Sequence, residues 1–449
     1  MRTTLRSLVV GILTLLGGAL LGLTSTITSA LTLAATALIV PGTGTPNADV
    51  VTGYETNAVN YYIAPTTASC ATTCTPVGIP YLAQFAPLGL LIPGWGGLTG
   101  AKWNVSVASG VSSLNSTLVN QLSTDPTGDI VIFGYSQGAT VASIEKSNLA
   151  DVANKNQYSF VLIGNPQRPN GGIFERLAFL GTVPILDATF GQPTPTNTGI
   201  STTDIAFQYD GVSDFPEYPI DALADLNAIA GFEYIHGTYL TPNSNDPTET
   251  PDGYTPAELQ AAINDPANRQ TYGDTTYITI PTQTLPILQP LIELGTATDT
   301  TALVTPIVDL ISPALRVLIN LGYNPNANPG IPTPFQLIPP INPITLTTSL
   351  ITAAVQGVQA ALGDPGTTSP IPLTLPAPTT PNPSTLVAAK ATDPPTTTKQ
   401  ATKLVAATKV STPAATKPER QTVSSTVASD LHRRTATKSR GTSSSSHAH

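Results

Sequence analysis

Residues 129–149 constrain the fold more than any other part of the chain. Asp129-Ile130-Val131-Ile132-Phe133 is a continuous apolar run, Gly134-Tyr135-Ser136-Gln137-Gly138 is a G-x-S-x-G turn, and Ala139 to Leu149 has helical character. A buried strand that bends sharply into a helix at a serine is the arrangement of a nucleophile elbow. The glycines suit a tight turn whose neighbouring backbone must pass close without side chains. The helix that follows would aim its first N–H groups at the serine, where they favour a developing negative charge.

Other segments extend the pattern. Leu38-Ile39-Val40, Ser159-Phe160-Val161-Leu162-Ile163-Gly164 and Ile205-Ala206-Phe207-Gln208-Tyr209 are further apolar strands separated by helical stretches. That alternation predicts an α/β-hydrolase fold, with a mostly parallel central sheet covered by helices on both faces. Thr255-Pro256-Ala257-Glu258 is a helix start with Pro in the first turn and a capping-box Glu. Pro-initiated amphipathic segments near 286–294 and 306–321 are expected to cap the sheet.

A serine hydroxyl is a weak nucleophile until a base takes its proton. Of the four histidines, His432, His447 and His449 lie near the C-terminus, so His236 is the one base in the folded body. The acid that orients the imidazole should lie between nucleophile and histidine in the chain. Asp210 follows the fourth strand and is the favoured candidate, with Asp214, one turn later, the alternative triad acid. The oxyanion would be held by the N–H of Gln137 and by Thr43, in the glycine-rich loop Pro41-Gly42-Thr43-Gly44-Thr45-Pro46-Asn47. That loop is too short for a phosphate-binding loop and lacks its lysine. Phe174, Leu177, Phe179, Leu180 and Phe190, within Ile173 to Thr203, fit either an apolar acyl-binding wall or ordinary core.

The ends of the chain differ from its middle. Arg2 and Arg6 precede an apolar run from Leu8 to Leu23 and a small-residue exit at Thr28-Ser29-Ala30, so residues 1–32 read as a signal peptide or N-terminal membrane anchor. The hydrolase body spans 33–340, a helix and linker are expected over 341–363, and 364–449 is Pro/Thr/Ala/Lys-rich, with too few large apolar residues to fold. The formal net charge of −9 conceals an asymmetry: from Lys390 onward ten Lys/Arg face three Asp/Glu, a balance of +7 on a body of −16. Such a tail suits either contact with an anionic surface or plain solvation. It lacks interleaved aromatics, so nucleic-acid binding is not expected. Cys70 and Cys74 have neither a histidine nor a third cysteine beside them, which favours a disulfide over a metal site and fits secretion into an oxidising compartment. No metal or cofactor is expected.

At these residues the sequence resembles the mycobacterial PE-PPE domain, a serine α/β-hydrolase module related to cutinases. The stretches that carry the likeness are Leu38 to Pro46, Phe133 to Thr140, Gly164-Asn165-Pro166-Gln167-Arg168-Pro169-Asn170-Gly171-Gly172, Tyr209 to Pro216, and Asn227-Ala228 through His236-Gly237-Thr238-Tyr239. The resemblance implies an exported esterase or lipase-type enzyme acting on acyl esters or lipids, or an acyltransferase of envelope lipid synthesis, in an actinobacterium. It also implies a Ser or Thr oxyanion donor at Thr43. No PE or PPE helical module is recognisable ahead of the domain, so export is expected to depend on the apolar N-terminus. A surface binding or structural protein on the same scaffold is the non-enzymatic alternative, against which stands the full Ser, Asp, His set in the expected order.

Overall fold

The computed structural model describes residues 34–324 and 326–363; the expected signal segment and basic tail lie outside them. Nine strands are described: β1 (Ala35–Val40), β2 (Cys74–Gly78), β3 (Ile130–Tyr135), β4 (Tyr158–Ile163), the two-residue β5 (Thr182–Val183) and β6 (Ala188–Thr189), β7 (Thr202–Phe207), β8 (Arg269–Tyr272) and β9 (Thr275–Ile280). Seven of them form one sheet in the order β2-β1-β3-β4-β7-β9-β8. All pairs are parallel except β8 with β9, and β5 and β6 form a separate antiparallel pair.

The sheet is buried on both faces, as its uninterrupted apolar strands require. Ile39, Val131, Phe133, Val161, Ile163, Ile205 and Phe207 face one core. Their neighbours Leu38, Val40, Ile130, Ile132, Phe160 and Leu162 face the other. The two sets alternate because successive side chains point to opposite sides of a strand. The longer helices are α1 (Trp103–Thr124), α2 (Gln137–Asn148), α3 (Ala222–Tyr234), α4 (Pro256–Asn264), α5 (Gln289–Ala297), α6 (Thr301–Ile319) and α7 (Pro343–Ala361). The capping box expected at α4 is present, with Thr255 and Glu258 satisfying each other's backbone N–H groups.

Three expectations need correction. The fourth strand begins at Thr202 and ends at Phe207, not at 205–209. Its first residues are polar yet buried: Asp204 lies 3.5 Å from the equally buried Arg168, a pairing that an apolar-run reading cannot see. The segment expected to start at Pro306 starts at Thr301, so Pro306 and Pro313 lie inside α6. Nor do α5 and α6 cap the sheet. Together with α3 and Tyr209 they enclose a third apolar cluster, built on Leu285, Leu288, Val308 and Ile319.

The helix expected over 341–363 is α7, capped by Asn342, whose side chain accepts from the N–H groups of Ile344 and Thr345. The Pro-rich stretch before it is stapled to the body by backbone bonds from Asn170 to Pro329, Thr333 to Pro169 and Phe335 to Arg176. Cys70 and Cys74 are joined in a disulfide that ties the preceding turn to the first residue of the edge strand β2.

Candidate active site

The strand order changes direction between β1 and β3, the crevice where open α/β sheets present ligand-binding loops. The C-terminal ends of β1, β3, β4 and β7 lie side by side there, with Val40 opposite Gly134, Tyr135 opposite Ile163, and Ile163 opposite Ile205. Four sequence-distant loops therefore meet at one place.

Ser136 occupies the bend between β3 and α2 with φ 54° and ψ −119°. This left-handed conformation is costly for a residue with a side chain and persists only where the surroundings enforce it. Here a glycine lets them do so. A Cβ on Gly138 would stand 2.1 Å from the carbonyl oxygen of Val40, so only glycine lets α2 pack this tightly against the end of β1. The outcome is a half-buried serine hydroxyl at the helix N-terminus.

His236 reaches that hydroxyl: its Nε2 lies 2.9 Å from Ser136 Oγ. On the other side of the ring, Nδ1 is 3.0 Å from Asp210 Oδ1 and 3.1 Å from Oδ2. An ionised carboxylate only accepts, so Nδ1–H donates to Asp210 and the lone pair of Nε2 is left to accept from Ser136. Asp210 is fully buried. Its Oδ1 accepts from the Val212 N–H at 2.9 Å, and its Oδ2 from Ser213 Oγ at 2.5 Å and Tyr239 OH at 2.9 Å. Burial pushes its pKa up, but the charge and hydrogen bond of His236, with the Ser213 and Val212 donors, outweigh this and hold the carboxyl below its ordinary value.

Asp214 does not touch the imidazole. Its Oδ2 accepts from the Tyr209 N–H at 2.8 Å and its N–H donates to the Asp210 carbonyl at 2.8 Å. It closes the turn that carries Asp210, and burial raises its pKa. Of the two aspartates read from the sequence, Asp210 is the one brought to His236.

The ring of His236 is held by aromatic neighbours. Phe232 stacks on it at 5.8 Å between centroids, and Tyr135 and Tyr239 lie at 5.4 and 6.1 Å. The hydroxyl of Tyr135 donates to the His236 carbonyl. Gly164, at the end of β4, makes room: a Cβ there would sit 2.9 Å from His236 Cε1, and its φ is +53°. Ser213, Tyr239, Tyr135 and Gly164 were not singled out from the sequence. The only signal was their place in the stretches that carry the family likeness, or next to a candidate residue.

The oxyanion candidates border the serine. Gln137 is the first residue of α2, so its N–H has no acceptor within the helix. Its buried side chain is fixed by Ser106 Oγ at 2.8 Å and the Gln84 carbonyl at 3.0 Å. A Cβ on Gly42 would stand 3.2 Å from Ser136 Cβ, which puts Thr43, the next residue, beside the nucleophile. The loop is anchored around Thr43: Gly42 N–H donates to Tyr54 OH at 3.2 Å, Gly44 N–H to Ala83 O at 2.8 Å, and Tyr81 OH to Pro41 O at 2.7 Å. No described residue accepts from the N–H of Thr43.

The Ile173–Thr203 segment divides. Phe174 and Phe190 are buried, 4.5 Å apart between centroids, and Phe174 packs on Trp103 at 4.7 Å. They are core. Phe179 and Leu180 are exposed. Among the described residues no cluster of three or more His, Cys, Asp or Glu side chains could hold a metal ion.

A family model described as the PE-PPE domain matches residues 79–324, more than half of the chain and all three residues of the hydrogen-bonded set. The chain belongs to the PE-PPE domain family. It is 37% identical over 333 residues to "Esterase PE16" of Mycobacterium tuberculosis (strain ATCC 25618 / H37Rv), an alignment covering 73% of this chain and 56% of that protein. It is 30% identical over 308 residues to "SL1278 acyltransferase Chp1" of the same strain, covering 66% of each. Among solved structures, a cutinase-like protein from Cryptococcus sp. aligns with 20% identity and a TM-score of 0.27, over 41% of this chain and 82% of that one. The chain spans about half the length of PE16. The relatives of this chain thus include proteins named as an esterase and as an acyltransferase.

Proposed function

We propose that this protein is an exported serine esterase that cleaves acyl esters through an acyl-serine intermediate. The observation that carries the reading is the unbroken line from Ser136 Oγ through both nitrogens of His236 to Asp210.

In this mechanism His236 Nε2 takes the Ser136 proton as Oγ attacks the ester carbonyl. The imidazolium that forms is stabilised by Asp210, whose remaining acceptor capacity is filled by Ser213, Tyr239 and Val212, so the carboxylate is fixed before reaction begins. The oxyanion is met by the N–H of Gln137 and by Thr43, with the N-terminus of α2 behind them. His236 returns the proton to the leaving alcohol. Water, activated by the same base, then releases the acid and restores Ser136. No step calls for a metal or an organic cofactor.

An acyltransferase is the second reading, favoured by the likeness to Chp1; it differs in that an alcohol replaces water in the last step. Export through the apolar N-terminus, with envelope contact through the basic tail, belongs to the same proposal and is supported by the charge pattern and the Cys70–Cys74 disulfide.

The test is hydrolysis of p-nitrophenyl butyrate by the full chain and by Ser136→Ala and His236→Ala. Each variant is expected to lose at least ~10³-fold in kcat/KM. Adding an alcohol acceptor and analysing products separates ester transfer from hydrolysis. Retention of more than a tenth of the activity by either variant would overturn the mechanism.

A further inference from the structure

The loop over 86–100 contains Gly89, Gly94, Gly96, Gly97 and Gly100 among apolar residues, and no charged side chain occurs anywhere between 83 and 101. Its ends are tied together by the Ala86 N–H to Ala101 carbonyl bond at 2.9 Å, which makes it a compact closed loop rather than a passing connection. Three of its leucines face solvent: Leu90 is 66%, Leu91 78% and Leu98 63% exposed. Isolated exposed leucines are ordinary, but three on one short uncharged loop make its surface markedly apolar.

Trp95 places the loop at the site. On one side its indole lies against the oxyanion loop, where a Cβ on Gly44 would stand 3.2 Å from the ring. On the other it meets Phe232 edge-on at 6.1 Å, and Phe232 is the ring stacked on His236. Phe85 stacks behind it at 6.1 Å. Trp95 therefore bridges the residue next to Thr43 and the residue next to the imidazole, the two sides between which a substrate carbonyl must sit.

We propose that the 86–100 loop is the acyl-binding wall of this site and that Trp95 sets its chain-length preference. The proposal rests on the esterase reading above and narrows the substrate to esters of medium or longer acyl chains. The occupant is an alkyl chain because the loop is apolar and uncharged and its Trp95 lies between the oxyanion loop and the ring stacked on His236. Of the Ile173–Thr203 segment, read from the sequence as either acyl wall or core, Phe174 and Phe190 are core.

A chain laid on a one-sided wall buries about half of each methylene, worth roughly twofold in kcat/KM per carbon, or about fifteenfold over the four carbons from butyrate to octanoate. The experiment compares p-nitrophenyl acetate, butyrate and octanoate, below their micelle concentrations, with the full chain and with Leu90→Ser/Leu91→Ser, Trp95→Phe and Trp95→Ala. The octanoate-to-butyrate ratio is expected to be about fifteen in the parent, to persist in Trp95→Phe, and to fall to within about twofold of unity in Trp95→Ala and in the double leucine variant. The leucine variant alters only exposed residues, so it decides the matter if Trp95→Ala fails to fold. A ratio unchanged by the leucine variant, or a flat chain-length profile in a parent that hydrolyses butyrate, overturns the wall and leaves the esterase standing. A parent that hydrolyses no ester, and whose Ser136 resists a fluorophosphonate, overturns both.

Discussion

Replacing Gly164 with alanine tests the site without touching any group proposed to react. The new methyl would stand 2.9 Å from His236 Cε1 and 3.2 Å from Nδ1, where ordinary carbon contacts begin near 3.4 Å or more. The imidazole must move by roughly half an ångström to an ångström, and a displacement of that size in a catalytic group costs on the order of 10²-fold. Asp210 and the aromatic neighbours hold the ring on its other sides, so the motion is expected to lengthen the 2.9 Å contact with Ser136. The backbone adds its own penalty, because alanine at φ +53° costs about 1–2 kcal/mol. In a domain of this size that lowers Tm by a few degrees. The assay pairs thermal melting with the rate of fluorophosphonate labelling. The expected result is a folded protein, a few degrees less stable, that labels about 10²-fold more slowly. Labelling within threefold of the parent would show that the imidazole does not depend on this space, and the reasoning would fail.

Three further outcomes follow from the same geometry. Asp210→Asn is expected to lower kcat by about 10³–10⁴-fold, because an amide can force the wrong imidazole tautomer, whereas Asp214→Asn, which still accepts from the Tyr209 N–H, should stay within a few-fold; steady-state kinetics on butyrate distinguish them. Tyr239→Phe removes one donor to Asp210 Oδ2 and should cost several-fold in kcat; full activity would show that the donor is dispensable. Glu175 is buried, and burial raises its pKa to about 7 despite a bond from the Gln192 backbone. A raised folded-state pKa contributes stability that is complete below the unfolded value near 4.5 and is lost as pH rises through about 7. Glu175→Gln should therefore raise Tm at pH 8, by the few degrees that 1–3 kcal/mol represents, and change it little at pH 5; equal shifts at both pH values would contradict this.

The parallel core was legible because its strands are written in continuous apolar runs, and the elbow because glycine, serine and glycine fall at the strand-to-helix junction. His236 could be named by elimination, and chain order narrowed the acid to Asp210 and Asp214, of which Asp210 was favoured by its place after the fourth strand. The peripheral elements carry weaker signals. β2 holds Pro76 and sits at the sheet edge, where a missing N–H is tolerated. The 22-residue α1 is rich in Ser, Thr, Asn and Val, poor helix formers, and is held by packing at Trp103, Val107, Leu114 and Leu118 instead. The polar start of β7 was hidden because Asp204 is matched by Arg168, 36 residues earlier in the chain. For the same reason the supports of the site escaped notice: Ser213, Tyr239 and Gly164 act through distances that no linear pattern records. Trp95 is the plainest case, since nothing in its neighbourhood in the chain announces contact with residues 44 and 232.

The most direct measurement is intact mass and peptide mapping of the full chain after exposure to a fluorophosphonate at neutral pH. One adduct on the peptide carrying Ser136, absent when His236 is replaced by alanine, is the result this account requires. An untouched protein, or an adduct on a different residue, would mean that the hydroxyl at the bend after β3 is not the nucleophile.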